Sequence, residues 1–393
     1  MMKTARPSIR KRGGSRPADL QLFATTAPGL EDVLLSEIKR LGATDPEKAV
    51  RGVSFGGDLG MLYRTNLHLR TATRVLVRIA EFDARDRDHL YRGSRAAPWE
   101  EHMTPDMTLA VDAVGDNSEI RHTQFASQVV KDGIVDRFRD KVGRRPSVNP
   151  KQPDIRINAR INGDRCTLSW DSSGQRLHRR GYRPSFGGPA PLQETLAAGI
   201  LLMSGYDGSG ELVDPMCGSG TILVEAAMIA KNMAPGLLGR EFAFMSHLSF
   251  NRRLWSNELE DAQRAVREVD GCTIRGSDVS EDSVRAVRTA VLGAGVDDIV
   301  AVRRADFRSL AISEGVGRVV TNPPYGERLG EINQLADLYS DLGDTLKQRC
   351  RGMTAHVLTG SKFLAGKIGL KTRKRDILWN GPLECRLLHF DLF

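Results

Sequence analysis

The segment RVVTNPPYGERLG, residues 318–330, runs a short apolar stretch directly into Asn322, Pro323, Pro324 and Tyr325. Two successive prolines remove two backbone N–H donors and fix φ, so neither a helix nor a central strand continues through them. The residue before each proline is held in an extended conformation. The segment therefore predicts a rigid strand end that presents one amide side chain, free carbonyl oxygens and one aromatic ring.

A second set of polar residues follows a predicted strand in ELVDPMCGSGTILVEAAMIA, residues 211–230. Gly218 and Gly220 allow positive φ and close backbone approach, and Thr221 begins a helix whose free N–H groups can bind an anion. Asp214 can bind an ammonium group, so the set suits a ligand with an amine and a carboxylate. A dinucleotide fingerprint would need a third glycine and a P-loop would need Gly-Lys-Ser/Thr, and both are missing. The alternative is an ordinary tight turn.

Two further carboxylates end the strands predicted next along the chain. Asp278 in RGSDV can accept hydrogen bonds from the two hydroxyl groups of a ribose, as acids at this position of nucleoside-binding α/β folds do. Asp306 in RRADF could reach an adenine amino group, although a surface aspartate in a loop is an equally good interpretation. Residues 232–256, which separate the first two strands, are interpreted as an insertion.

The net charge of +8 is concentrated in three basic clusters, at residues 3–16, 176–183 and 371–375. Such clusters attract a polyanion such as RNA, and the alternative is a set of solvated loops. No apolar run approaches the roughly 18–20 residues that a membrane helix needs. The five cysteines are widely spaced without a CxxC pair, which favours reduced thiols, no metal site and a cytoplasmic location.

The order of predicted elements divides the 393 residues into four parts. Residues 1–17 form a basic disordered arm, and residues 18–174 mix strands and helices, with a hairpin turn at Asn162-Gly163. Residues 175–190, rich in Gly, Pro and Arg, form a linker. From there to residue 393 strands and helices alternate, which predicts a mostly parallel α/β sheet whose last strand returns antiparallel.

Together these motifs resemble the class I S-adenosylmethionine-dependent methyltransferases, in which DPMCGSG is the first motif and NPPY is typical of enzymes that methylate an amino nitrogen conjugated to a π system. The resemblance implies a Rossmann-like C-terminal sheet. It implies catalytic roles for Asn322, Pro323, Pro324 and Tyr325: the Asn322 side chain and the Pro323 carbonyl accept the two amine hydrogens, the prolines hold that geometry, and Tyr325 stacks on the base.

The same resemblance implies a set of residues that bind S-adenosylmethionine. Glu194 and Thr195, on the helix before the first motif, could reach the methionine end of the cofactor, although a surface position is nearly as plausible. Cys217 is interpreted as a packing residue, because methylation of a ring carbon would need a cysteine in the NPPY segment. The full cofactor set comprises Glu194, Thr195, Asp214, Pro215, Met216, Cys217, Gly218, Ser219, Gly220, Thr221, Asp278, Asp306 and Asn322.

The N-terminal half resembles a ferredoxin-like segment followed by a THUMP domain, an RNA-binding module of α+β fold, in QLFATTAPGLEDVLLSEIKRLGA and QFASQVVKDGIVDRFR. With NPPY, this combination is similar to the bacterial 23S ribosomal RNA guanine-N2 methyltransferases, in the half that some bacteria fuse to a second methyltransferase. The resemblance implies methylation of N2 of a guanine in 23S RNA or its precursor particle, one modification only, and a separate partner in place of the second module.

A set of basic residues is expected to bind RNA, and two other functions are alternatives to guanine methylation. The residues expected to bind RNA are Arg179, Arg180, Arg183, Lys371, Arg373 and Lys374; the alternative for the three arginines is an inter-domain salt-bridge set. An adenine-N6 methyltransferase would share NPPY without needing a THUMP domain, and a non-catalytic assembly factor would not need the complete motif set. Phe125 and Phe138 are expected in the core, and His178 is expected to be structural.

Overall fold

The computed structural model describes residues 20–183, 192–271, 273–310, 317–326 and 335–393. The predicted basic arm, most of the predicted linker's second half and Cys272 lie outside the described residues. Two sheets organise the described chain, one of eight strands in the N-terminal half and one of seven strands in the C-terminal half. The four cysteines within the described ranges, at positions 166, 217, 350 and 385, are buried and not bonded to one another.

From residue 20 onwards, where the structure describes it, the N-terminal half contains eight strands and four helices. In chain order they are β1 (Leu20–Thr26), α1 (Glu31–Arg40), β2 (Thr44–Ala49), β3 (Gly52–Gly57), α2 (Leu59–His68), β4 (Ala72–Asp83), α3 (Arg87–Ala96), β5 (Thr108–Val114), α4 (Thr123–Val142), β6 (Ser147–Val148), β7 (Ile155–Asn162) and β8 (Arg165–Asp171). The strands lie in the order β2-β3-β1-β4-β8-β7-β5-β6. Because β4 pairs antiparallel with β8, the strands of the two segments expected to be ferredoxin-like and THUMP form one continuous sheet.

Only one face of this sheet is covered. Residues on β1 alternate, with Leu22 and Ala24 buried in a cluster that also contains side chains of all four helices, while Gln21, Phe23 and Thr25 point to the other face. Phe138 lies in this core as predicted, but the prediction for Phe125 is wrong. This residue is 42% exposed, because it lies in the first turn of α4, before Ala126, the first buried residue of that helix. The opposite face of the sheet carries polar side chains.

The C-terminal half contains seven strands and six helices within the described residues. They are α5 (Glu194–Met203), β9 (Glu211–Asp214), α6 (Thr221–Ala230), α7 (Arg252–Arg264), β10 (Ile274–Asp278), α8 (Glu281–Ala294), β11 (Val300–Arg304), β12 (Gly317–Thr321), α9 (Ala336–Arg349), β13 (Thr354–Thr359), α10 (Lys362–Lys367), β14 (Lys374–Asn380) and β15 (Leu383–Asp391).

The C-terminal sheet has the order β11-β10-β9-β12-β13-β15-β14 and is covered on both faces. Neighbours from β11 to β13 are parallel, and β15 is antiparallel to β13 and β14, which confirms the predicted topology. Successive residues enter different cores: Leu212 packs with α5, α6 and α8, whereas Val213 packs with α9 and α10. This burial on both sides explains why the strands are short apolar runs.

The two halves interlock through segments of each that pack on the other. Phe242 and Phe244, within the predicted insertion, lie in the N-terminal core, where the Phe244 ring is 4.7 Å from that of Tyr63. Leu30, after the β1–α1 turn, lies in the C-terminal core instead. Gly29 has φ +90°, and an added Cβ would come within 2.3 Å of the Ile377 carbonyl oxygen on β14, so this close contact requires glycine. None of the described helices is long and apolar enough to cross a membrane.

Candidate active site

A cleft of about 1250 Å³ opens at the carboxyl ends of the parallel C-terminal strands. In open α/β sheets ligands bind at this edge, because the loops that follow the strands converge there. Nine of the residues predicted from the sequence line the cleft: Pro215, Met216, Gly218, Asp278, Asp306, Asn322, Pro323, Pro324 and Tyr325. The structure therefore brings the residues after β9, β10, β11 and β12 together around one space.

The turn between β9 and α6 presents backbone to this cleft. Gly218 has φ +51°, and an added Cβ would meet no atom within 4 Å, so this position is open towards the cleft. Gly220 has φ +77° and caps α6, and its added Cβ would lie 2.8 Å from Val287. One glycine thus leaves room for a ligand and the other lets α6 pack on α8.

Asp278 holds the glycine turn to the end of β10. Its Oδ2 accepts a hydrogen bond from the Gly218 N–H at 3.0 Å, and its Oδ1 accepts one from the Ser280 N–H at 2.9 Å. A carboxylate offers about four lone-pair positions, so each oxygen can accept one more hydrogen bond from a ligand. The arrangement can bind the two hydroxyl groups of a ribose.

Asp306 also lines the cleft but is already paired. Its Oδ2 lies 2.8 Å from Nη1 of Arg308, and the Nε of the same guanidinium lies 2.8 Å from Asp341. The Asp306 Oδ1 accepts a hydrogen bond from the Arg308 N–H at 2.9 Å. The carboxylate is fixed in direction by these contacts, and a ligand amine would share it with Arg308.

Asn322 carries an unsatisfied acceptor at the end of β12. Its Oδ1 is buried and has no hydrogen-bond partner within the described part of the chain. A buried acceptor without a partner costs about 1–3 kcal/mol, so such an atom at a cleft is suited to an N–H donor from a ligand. The following Pro323 is buried and Pro324 is exposed, so the chain leaves the strand rigidly beside this oxygen.

The hairpin between β14 and β15 contacts Tyr325 and fixes the position of its ring. The Asn380 side chain donates a hydrogen bond to the Tyr325 hydroxyl at 3.2 Å. At Gly360, which follows β13, an added Cβ would lie 3.1 Å from the Tyr325 ring and 2.9 Å from Leu383. The ring is therefore fixed on one side by Gly360, Leu383 and Asn380, while Tyr325 still lines the cleft.

Sequence reasoning missed the contribution of this hairpin. Asn380, Pro382 and Leu383 line the cleft from the β14–β15 side of the sheet. Asp278 and Asp306 line it from the β10–β11 side. The signal was present, because Asn380-Gly381 is a strong turn dipeptide and Gly381 has φ +63°. A turn signal identifies a hairpin, however, and does not indicate that the hairpin reaches an active site. Val279, Phe307 and Leu338 were also missed.

Seven predicted cofactor residues do not line the cleft: Glu194, Thr195, Asp214, Cys217, Ser219, Gly220 and Thr221. Asp214 is 1% exposed, and its Oδ1 accepts a hydrogen bond from the Met216 N–H at 3.3 Å, inside the turn. Burial raises the pKa of Asp214 to about 7. Cys217 is buried in the apolar cluster around α6, which agrees with its interpretation as a packing residue.

Arg183 ties together the elements that surround the turn. Its Nη2 donates to the Thr221 Oγ1 at 2.6 Å, and its Nε lies 3.3 Å from Oε1 of Glu194. Burial raises the pKa of Glu194, and Thr195 is buried beside it with an Oγ1 that has no partner within the described residues. Arg183 therefore connects α5 to the first residue of α6.

The prediction that Arg180 contacts RNA is corrected by the burial of its side chain. Its side chain is 2% exposed, donates to the Leu177 carbonyl at 2.6 Å and lies 3.4 Å from Glu225, which is fully buried on α6. Arg180 also donates to the carbonyl of Arg70, whose guanidinium donates to the Met233 carbonyl at 2.8 Å. Arg180 matches the inter-domain alternative, since a phosphate could not reach it without separating the two halves.

The other four predicted RNA-binding residues are exposed but are not near the cleft. Lys371, Arg373 and Lys374 lie at the start of β14, whereas the cleft is lined by Asn380 at its end. Arg373 pairs with Asp391 at 3.3 Å, and Lys374 pairs with Asp376 at 3.0 Å. Arg179 is exposed on the linker. Their contact with RNA stays a prediction.

Comparison with known proteins identifies the family. The family described as RMKL-like, methyltransferase domain, matches residues 180–389, more than half of the chain. This chain belongs to the RMKL-like methyltransferase family. Residues 21–76 match the RlmL ferredoxin-like domain and residues 84–171 match the THUMP domain, which confirms the resemblance and the fold class expected from the sequence.

Relatives of this RMKL-like methyltransferase include fused and unfused proteins. The ribosomal RNA large subunit methyltransferase K/L of Syntrophotalea carbinolica is 46% identical over 95% of this chain and 54% of the relative, so the chain spans about half the length of such relatives. The protein slr0064 of Synechocystis, named as a candidate RNA methyltransferase, is 40% identical over 94% of this chain and 96% of its own length.

A solved structure supports the assignment of the cofactor. SMU.472, a candidate methyltransferase crystallised with S-adenosylhomocysteine, is 28% identical and covers 95% of this chain and 98% of its own, with a TM-score of 0.86. The RMKL-like chain is a methyltransferase that uses S-adenosylmethionine. Its cleft fits that molecule: Gly218 leaves open space, Asp278 keeps free lone pairs, and Asn322 presents an unpaired acceptor.

Proposed function

We propose that this methyltransferase modifies the exocyclic N2 of a guanine in 23S ribosomal RNA or its precursor particle. The observation that carries the proposal is the buried Oδ1 of Asn322, which has no partner within the described residues and lies beside Pro323 and Tyr325 in the cleft. The relatives named for ribosomal RNA, at 46% identity, support the RNA substrate.

An aromatic amine needs to be oriented before it can react. Its lone pair is delocalised into the ring, so the nitrogen is a weak nucleophile unless its two hydrogens are held. The Asn322 Oδ1 accepts one N–H, and the carbonyl of Pro323 accepts the other, which directs the lone pair away from the base plane. The nitrogen gains a methyl group and loses one proton, which can pass to solvent after transfer.

Tyr325 provides the surface on which the base lies. Its ring is fixed by Gly360 and by the hydrogen bond from Asn380, so it offers a rigid plane instead of a mobile side chain. Base–aromatic stacking contributes about 1–3 kcal/mol and tolerates any base. Guanine would leave the RNA helix to reach this position, as bases do in enzymes that modify them.

The cofactor residues are assigned from their positions in the cleft. S-adenosylmethionine supplies an electrophilic methyl group when it is bound. Asp278 binds its ribose hydroxyls, the cofactor lies beside the open position of Gly218, and Asp306 lies where an adenine amine would share it with Arg308. Asp214 holds the turn through the Met216 N–H, and Glu194 connects the start of α5 to that of α6 through Arg183.

The proposal extends to partners and location. The N-terminal THUMP region binds the RNA through backbone charge and shape. A ribosomal RNA substrate implies a cytoplasmic enzyme. An adenine-N6 methyltransferase would use the same Asn322 and Tyr325, so the nature of the base needs a direct test.

The test is mass spectrometry of nucleosides from ribosomal RNA of cells with and without this protein. We expect one large-subunit N2-methylguanosine to disappear and to be restored by purified protein with S-adenosylmethionine. Loss of N6-methyladenosine with unchanged N2-methylguanosine would replace guanine by adenine. No change in any base would contradict a ribosomal substrate.

A further inference from the structure

The open face of the N-terminal sheet carries a second groove, of about 720 Å³. It crosses β3, β1, β4, β8 and β7, a width of roughly 19 Å at about 4.8 Å per strand. Five arginines and one glutamate are among the residues that line it. The charge is therefore strongly positive on a face that none of the described helices covers.

Three of these arginines are available to a ligand. Among the described residues, no carboxylate lies within ion-pair distance of the guanidinium group of Arg51, Arg160 or Arg176, although the Arg51 backbone N–H donates to the Glu31 carboxylate at 3.3 Å. Arg74 is paired with Asp171, and Arg78 lies 3.2 Å from Glu81. That glutamate, the only acid in the described lining of the groove, also lies 2.8 Å from Arg165 and is thus already neutralised.

An aromatic ring and hydroxyl groups lie between these cations. Phe23 points to the open face, with the Arg160 guanidinium 5.8 Å from its ring centroid. Thr25 and Thr73 share a hydrogen bond at 2.7 Å on the same face, and Val50 is 74% exposed at its margin. Cations interspersed with a ring and apolar surface are typical of sites that bind unpaired nucleotides by their phosphates and bases together.

The groove lies beside the domain that carries the chemistry. Its lining includes Arg176 and His178 of the linker and Gln193, which precedes α5. The turn at Gly29, directly after β1, contacts the Ile377 carbonyl on β14. Asn380, three residues further along β14, lines the methyl-transfer cleft, so the end of β1 and the cleft are joined by about 10 Å of one strand.

We infer that the open sheet face binds a single-stranded segment of the RNA substrate next to the nucleotide that enters the cleft. Arg51, Arg160 and Arg176 bind its phosphates, and Phe23 stacks on a base. A duplex presents its phosphates on a cylinder and its bases are inaccessible, so it could not use a ring in the floor of a sheet. The inference rests on the proposed RNA substrate and adds where, and in which form, the RNA is held.

The experiment measures binding of a labelled oligouridine and of a blunt RNA duplex to the full chain at several salt concentrations. The test variant is Arg51→Gln/Arg160→Gln/Arg176→Gln, and the matched control is Arg267→Gln/Arg288→Gln/Arg351→Gln, which removes three exposed arginines of the C-terminal half. We expect the test variant to lose roughly tenfold or more in oligouridine affinity. The slope of log affinity against log salt should fall by about 2, for three phosphate contacts.

One further variant and one further probe make the outcomes distinct. Phe23→Leu keeps the charge and should weaken oligouridine binding severalfold with an unchanged salt slope, which supports stacking. Equal losses in the test and control variants, or a loss for duplex as large as for oligouridine, would overturn the inference. Displacement of oligouridine by polyglutamate at equal charge concentration would instead indicate an acidic protein partner.

Failure of this inference can be separated from failure of the proposed function. Cofactor binding, measured by calorimetry, should be the same in wild type and the triple variant, since none of the three arginines lines the cleft. If wild type forms N2-methylguanosine but the triple variant binds oligouridine normally, only the RNA-binding face is wrong. If wild type binds oligouridine through these arginines but methylates no ribosomal guanine, only the proposed substrate is wrong.

Discussion

The two sheets of this protein use their surfaces in opposite ways. The C-terminal sheet is covered by helices on both faces, so ligands can approach only its edge, where the carboxyl ends of the strands form the cleft. The N-terminal sheet is covered on one face, and its other face is a polar surface with arginines between the strands.

This difference separates two physical tasks. A reaction needs a few groups held within a small space, which the rigid turns at Gly218 and Pro323 provide. Recognition of RNA by charge and stacking needs area and tolerates small displacements, which an open antiparallel sheet provides. The contrast predicts that substitutions at the sheet edge affect rate, whereas substitutions on the open face affect affinity.

The largest expected effect is at the buried contact between Arg180 and Glu225, where the two halves of the chain meet. Arg180→Gln leaves Glu225 buried without its ion pair, and removal of one partner of a buried pair costs roughly 3–5 kcal/mol. The neighbouring Arg179 is exposed, so Arg179→Gln should change the free energy of unfolding by less than about 0.5 kcal/mol. Urea denaturation of both variants measures the difference.

This pair of variants tests whether the contact between Arg180 and Glu225 stabilises the folded chain. If Arg180→Gln unfolds at the same urea concentration as Arg179→Gln, the buried contact with α6 does not stabilise the folded chain. Loss of RNA affinity by Arg180→Gln at full stability would restore the sequence-based expectation that this arginine binds phosphate.

The next effect is at the edge of the covered sheet. Asn322→Ala removes the oxygen proposed to accept the amine hydrogen, and loss of one such group typically lowers the rate by roughly 10²–10³-fold. Binding of S-adenosylmethionine, measured by calorimetry, should be retained. Asn162→Ala, at the exposed last residue of β7 in the other sheet, is the control and should leave both quantities unchanged. An active Asn322→Ala enzyme would remove this residue from the reaction.

The covered sheet was the easier half to predict, for a physical reason. Its site residues follow directly after strands in short motifs, so Asp278 and Asn322 could be located by their neighbours in sequence. Alternation of strands and helices also predicted the parallel topology, because such an order has few solutions. Asn380 was not predicted as a site residue, since its approach to Tyr325 depends on how β14 is placed beside β15 and β13.

The open sheet was harder because its cations are scattered along the chain. Arg51 and Arg160 belong to none of the three basic clusters, and Arg176 begins the cluster at residues 176–183, yet all three line one groove. Conversely, the RLHRRGYR cluster reads as one basic patch, but Arg179 is exposed while Arg180 is buried. Clustering in sequence shows local charge density and contains no information on which guanidinium faces Glu225.

A third expectation concerns the support of Tyr325. In Gly360→Ala the new methyl group would lie 2.9 Å from Leu383 and 3.1 Å from the Tyr325 ring, so the ring must shift. Displacement of a positioning group by even 1 Å can lower a rate up to about 10²-fold, and we expect a loss of roughly tenfold. Gly366→Ala is the control, because its added Cβ meets nothing within 4 Å.

Single-turnover methylation and cofactor calorimetry on these two glycine variants separate a local effect from a general one. Gly360→Ala should lower the rate without changing cofactor affinity, and Gly366→Ala, within α10, should be neutral or slightly stabilising. Equal rates in both variants would mean that the position of the Tyr325 ring does not limit the reaction.

The smallest effect is a pH dependence within the covered sheet. His356 on β13 is buried with its Nδ1 2.8 Å from that of His389, whose Nε2 lies 2.9 Å from Asp376. Burial, together with His389 and the nearby Arg373 and Arg318, lowers the pKa of His356 to about 3.

The unfolded chain binds a proton at this histidine below about pH 6.5, whereas the folded chain does not until about pH 3. The unfolded state therefore holds more protons in this window, and the free energy of unfolding falls as the pH falls through it.

His356→Gln should reduce that slope of unfolding free energy against pH by up to about 1.4 kcal/mol per pH unit, whatever its effect at neutral pH. Urea denaturation between pH 4 and 7 measures the slope, and His122→Gln, at an exposed site on the N-terminal half, should leave it unchanged. An unchanged slope in His356→Gln would show that His356 binds a proton equally well in the folded and the unfolded chain. Burial between β13 and β15 would then not lower its pKa.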